Sequence, residues 1–178
     1  DTDISGSTTD QLSVDNLEVG DEDSYYVIVT GTCSQATSNS AVLDVQEDVT
    51  ITAQPVDVTR CEGNPATFNV VAAGTGPFTY QWYKDGAPLA NGGDISGADE
   101  SSLTVADIEE ADEGTYTVEI NGTCSNITSA GAVLSVLDNA SITTQPADDL
   151  LCHEDQASVT VVAEGTGLTY QWRKDNVD

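Results

Sequence analysis

The chain repeats itself, and this constrains its fold more than any other feature. Gly31-Thr-Cys-Ser34 returns at Gly122–Ser125, and Asp3-Ile-Ser-Gly6 at Asp94–Gly97, both at an offset of 91 residues. Gln54-Pro55 recurs as Gln145-Pro146 and Cys61 as Cys152, at the same offset of 91. The run GTGPFTYQWYKD (Gly74–Asp85) returns one residue shorter as GTGLTYQWRKD (Gly165–Asp175), so Trp82 corresponds to Trp172 at an offset of 90. A period of this length is one small domain copied in tandem, each copy contacting chiefly its neighbours. The phase divides the 178 residues into the second half of one unit (1–47), a complete unit (48–138) and the first half of another (139–178). The chain is therefore expected to be a piece of a longer array. The C-terminal half-unit of one copy is expected to complete the N-terminal half-unit of the next, along a continuous chain or by head-to-tail complementation between identical repeats.

Within the complete unit, apolar residues alternate with polar ones over short stretches between turn signals. Ala66, Phe68, Val70 and Ala72 form one such set, followed by Phe78, Tyr80 and Trp82, then Leu103 and Val105. Tyr116, Val118 and Ile120, then Ala132, Leu134 and Val136, complete the pattern. A period of 2 puts one face of each strand inward, which predicts an all-β sandwich. No 3.6-residue period persists, so helix is limited to a single turn near Ile108–Ala111.

The run EGNPATFNVVAAGTGPFTYQWYKDG (Glu62–Gly86), followed by LTVADIEEADEGTYTV (Leu103–Val118), resembles an immunoglobulin-like (Ig-like) domain of the intermediate type. The resemblance implies that Trp82 is the core Trp of strand C. It also implies that Asp112-Glu-Gly-Thr-Tyr116 forms the tyrosine corner, repeated as Asp21-Glu-Asp-Ser-Tyr25. The family's two inter-sheet cysteines would fall at positions 70 and 118, and both are Val. Val70 and Val118 are expected to fill that space against Trp82. With CEG (Cys61–Gly63) ahead of strand B and GTC (Gly122–Cys124) after strand F, the chain resembles bacterial Ig-like tandem repeats of large secreted or cell-surface adhesin-type proteins. That implies tandem Ig-like β-sandwiches in a bacterial extracellular or cell-surface setting.

Four cysteines at fixed repeat positions in a β-rich chain read as disulfides of an oxidising compartment. Cys61 and Cys124 are the pair belonging to one complete unit, and Cys152 is expected to pair with Cys33 of a neighbouring copy. A Cys61–Cys124 bridge would leave 27 residues of the unit free to pull out. Extension would then stop near 90 Å, against about 300 Å for the reduced unit. Zinc is the alternative, but there is no C-x-x-C and only one histidine. His153 has no Ser and Asp constellation around it, no G-x-S-x-G is present, and 4 Lys and Arg leave little to polarise a reacting group. The chain reads as no enzyme, with no catalytic residue and no cofactor.

The net charge of −27 disfavours nucleic acid and anionic membranes as partners, and no apolar run is long enough for membrane insertion by a helix. Glu47, Asp48 and Asp138, flanking the unit junctions, are weak calcium candidates, since calcium collects about 6–8 oxygen ligands and stiffens junctions. The competing reading is that the 31 acids keep an exposed array soluble. Tyr26 and Tyr83 are the aromatics outside core slots, and they are not equivalent in the repeat. The leading expectation is a non-enzymatic, tension-resisting extracellular spacer: a stalk, adhesin shaft or surface filament. The alternatives are an adhesive or glycan-binding module reading through loops near 86–100, or an accessory domain of a secreted enzyme. The external ligand, if any, is not readable from sequence.

Overall fold

The structure is a computed structural model that describes residues 3–153 and 156–174. Residues 1–2, 154–155 and 175–178, which fall in the two segments expected to be half-units, lie outside the described residues. Eleven short strands cover the central segment: β1 (Thr50–Ala53), β2 (Val58–Cys61), β3 (Ala66–Asn69), β4 (Val71–Ala73), β5 (Thr79–Lys84), β6 (Ala87–Pro88), β7 (Ile95–Ser96), β8 (Ser102–Val105), β9 (Gly114–Asn121), β10 (Asn126–Thr128) and β11 (Ala132–Leu137). One sheet has the order β6-β5-β9-β11-β2, with β10 added to β9. The other runs β7-β8-β3, and β4 continues β3 past Val70 to pair with β1. All pairings are antiparallel except β2 with β11, where Val58 to Cys61 run parallel to Leu134 to Leu137. Two facing sheets with this crossover make a sandwich. The expected helical turn is a 3-10 turn at Glu110–Asp112.

The alternating residues fill the space between the sheets. Ala66, Phe68, Val70, Trp82, Leu103, Val105, Tyr116, Val118, Ile120, Ala132 and Leu134 are all buried, while Ala72, Phe78, Tyr80 and Val136 pack against them half-buried. Phe68 organises the aromatic centre: its ring stacks on Tyr116 at 4.7 Å and tilts against Trp82 at 6.2 Å. The indole is buried without an orphaned donor, because Nε1–H donates to the Glu100 carbonyl at 2.8 Å. Trp82 and Val118 are cross-strand partners, and Val70 sits at the break between β3 and β4 with 4% of its surface exposed. The two positions that would carry cysteines in the resembled family are thus occupied by buried valines.

The flanking segments keep the repeat's register. Asp23↔Leu43 in the first segment is the pairing Gly114↔Leu134 moved by one period, and Ser141↔Glu164 in the last is Thr50↔Ala73 moved likewise. Their inward faces, however, have no opposing sheet among the described residues. Trp172 is 51% exposed where its equivalent Trp82 is 0%. Open apolar grooves run past Ile142, Pro146, Leu168 and Trp172 in one segment and past Leu12, Tyr26 and Val27 in the other.

Candidate functional site

The features shared by all copies converge at the junctions between units. At the first, the Glu47 N–H donates to Thr75 Oγ1 at 2.8 Å, and the Thr75 N–H donates back to the Glu47 carbonyl at 3.1 Å. At the second, Asp138 and Thr166 repeat both bonds at 3.1 and 3.2 Å. The close approach needs glycine beside the threonine. Gly74 has φ +118°, and a Cβ there would lie 2.3 Å from the Asp48 carbonyl oxygen. Gly165 stands in the same conformation at φ +134°. The incoming strand is fixed further by the Val49 N–H, which donates to Ser125 Oγ at 3.1 Å in the loop between β9 and β10. On the outgoing side, Val136 N–H donates to Glu113 Oε1 at 2.8 Å, and Val45 repeats this with Glu22 at 3.2 Å. Thr75 and Thr166 were not singled out from the sequence. Their signal was the recurrence of Gly-Thr-Gly at 74–76 and 165–167.

Each outgoing end is also shaped by a tyrosine corner. Tyr116 Oη–H donates to the Asp112 carbonyl and Tyr25 Oη–H to the Asp21 carbonyl, both at 2.8 Å. The 3-10 turns beneath are held by Asp112 Oδ2 accepting from Glu109 N–H and Asp21 Oδ2 from Glu18 N–H, both at 2.9 Å. Burial, then the negative charges of Asp112 and Asp85, push the Tyr116 hydroxyl up to about 12 from its ordinary 10.0. The fold thus favours the neutral phenol: its contribution is intact below pH 10 and is lost as pH rises through about 12. Tyr116→Phe should cost about 1 kcal/mol at neutral pH, the usual net value of one hydrogen bond. It should also flatten the loss of stability between pH 10 and 12, which urea denaturation across that range would measure.

The cysteines depart from the expected pairing. No disulfide joins Cys61 to Cys124, and none is formed among the described residues. The sheet geometry explains why. Cys61 lies level with Leu137, three residues beyond the Gly114↔Leu134 pair, whereas Cys124 lies past Asn121 at the other end of β9. They are separated by at least ten residue steps, about 33 Å, along the sheet. A bridge needs Cα atoms within about 7 Å. Cys33 and Cys152 repeat these two positions in the flanking segments. The expected Cys61–Cys124 bridge, and the limit on extension derived from it, are thereby corrected.

Glu47 and Asp138 are one period apart and lie at different junctions, with Asp48 beside the first. Among the described residues, no group of three or more His, Cys, Asp or Glu is placed to hold a metal. Tyr83 donates to Glu119 Oε2 at 3.1 Å on an outer sheet face, and this bond raises its pKa. Tyr26 is exposed on the first segment, apart from it. His153 is exposed beside Cys152. No described helix is long and apolar enough to cross a membrane.

Residues 50–121 match the family model described as immunoglobulin domain. A protein sidekick homolog of Caenorhabditis briggsae is 32% identical over 81 residues, 45% of this chain and 4% of that protein. Among solved structures, a three-domain titin fragment aligns with TM-score 0.68 at 20% identity, over 93% of this chain and 59% of that one. The structure of sidekick-1 immunoglobulin domains 1–5 aligns with TM-score 0.54 at 23% identity, over 99% of this chain and 40% of that one. The fold is that of tandem immunoglobulin β-sandwiches. The bacterial setting expected from the sequence finds no support in these comparisons.

Proposed function

We propose that this chain is a stretch of a non-enzymatic array of immunoglobulin-fold units that serves as an extracellular or cell-surface spacer, in a stalk, adhesin shaft or filament. The observation that carries this reading is the junction. The same reciprocal Thr–backbone clamp, with its glycine and its Glu-anchored outgoing strand, occurs at both junctions of the chain. A repeated, backbone-level joint is what a spacer of defined length requires, whereas a binding module needs only its loops. The loop around 86–100 spends much of its polar capacity on itself. Asn91 donates to Asp99 Oδ1 at 2.6 Å and accepts from the Ala98 N–H at 2.8 Å. This weighs against the adhesive reading of that loop.

Completion of each half-unit by its counterpart, within a longer chain or from another copy, belongs to the same proposal. The open apolar grooves of the two segments support it. The test is small-angle scattering from the chain carrying zero, two and four further in-phase copies of residues 48–138 inserted after Asp138. The maximum dimension should grow by an equal increment per copy. Growth that falls away with copy number, as in a collapsed or freely jointed chain, would overturn the spacer reading.

A further inference from the structure

The two junctions show complementary halves of one contact. At the first, the Cys124 thiol, on the hairpin loop of the incoming unit, donates to the Gln46 carbonyl at an Sγ–O distance of 3.8 Å. At the second, Cys61 at the end of β2 is the ladder partner of Leu137, and the next N–H, that of Glu62, donates to the Leu137 carbonyl at 3.0 Å. Gln46 and Leu137 are the same position of the repeat, 91 residues apart. When the two junctions are superimposed by the repeat, Cys61 of one unit and the Cys124 equivalent of the following unit flank a single residue. One lies a strand spacing of about 4.8 Å from it, and the other touches its carbonyl. Both thiols are exposed, and Asn139 Nδ2 ties the Cys61 end to the incoming strand through the Glu62 carbonyl at 3.1 Å.

We infer that the cysteines recurring at fixed positions of the repeat are a cross-junction disulfide site, joining position 61 of each unit to position 124 of the next. This accounts for the absence of a bond between Cys61 and Cys124 of one unit: each meets the other type of cysteine only across a joint. The reaction is thiol–disulfide exchange with an external disulfide of the glutathione class. The two thiols lose two protons and two electrons, one S–S bond forms, and the external disulfide is reduced to two thiols. The inference rests on the repeat register and holds whether or not the array is a spacer.

The test uses the full chain with one in-phase copy of residues 48–138 inserted after Asp138, with Cys33→Ser and Cys152→Ser throughout. One variant retains Cys61 of the first copy and Cys124 of the inserted copy, the other two cysteines of these copies being serine. A second retains Cys61 and Cys124 both in the first copy. A third retains Cys124 of the first copy and Cys61 of the inserted one. Each is equilibrated with glutathione disulfide under native conditions and digested without reduction, and tryptophan emission checks that both copies are folded. The first variant should give the bridged Cys61–Cys124 peptide at least ten-fold more than the second and third, which should carry glutathione on each thiol. Glutathione on both thiols of the first variant, or equal bridging in any other, would overturn the assignment.

Discussion

Stretched from its ends under oxidising conditions, an array of these units should be almost inextensible, and reductant should abolish this. With cross-junction bridges, the taut covalent path runs from position 61 across the disulfide to position 124 of the next unit. It then follows the 28 residues that separate Cys124 from Cys152 in this sequence. Those 28 residues carry the path two units forward, so the limit is about 95 Å per pair of units. Two unbridged units, at 91 residues each, would pay out to about 600 Å. The odd and even units define two such paths, interleaved along the array, and both bear load. Single-molecule force extension of a multi-unit array should therefore show short, stiff responses before reduction and long contour-length steps after it. Steps of equal length in both states would remove the mechanical role of the bridge.

Val70→Asp should destabilise the complete unit by several kcal/mol, because it puts a carboxylate at a position 4% exposed, in the apolar core that also holds Trp82 and Val118. Val133→Asp lies one residue out of phase on β11, at 43% exposure, and should cost less than about 1 kcal/mol. Chemical denaturation of the two variants measures the contrast, and equal losses would contradict the packing described for β3 and β11.

The difference between these two valines was legible in the sequence because strand periodicity is local. A period of 2 reports which side of a strand a residue faces, and Ala132, Val133 and Leu134 follow it. The tyrosine corner was legible through the resemblance of Asp112–Tyr116 to the family's run, and its bond is as local as that run, with donor and acceptor four residues apart. The cysteines were not. Which end of a sandwich a residue occupies depends on strand direction and crossover, and the parallel pairing of β2 with β11 carries Cys61 to the end opposite Cys124. The threonine clamp was also hidden: Thr75 acts through a backbone 28 residues away, and the recurrence of Gly-Thr-Gly marks the residue without saying what it bonds.

The sameness of the two junctions has a geometric consequence. A joint that fixes one rotation and one translation, and repeats them at every period, generates a screw axis. In the proposed array the pitch is then handed and set by the bonds of the joint, those around Thr75 and Gly74 together with Val49–Ser125 and Asn139–Glu62. A change at that joint in a single copy puts one bend into an otherwise straight axis, and the units beyond it are displaced in proportion to their distance. The same change in every copy leaves the axis straight and winds the array to a different pitch.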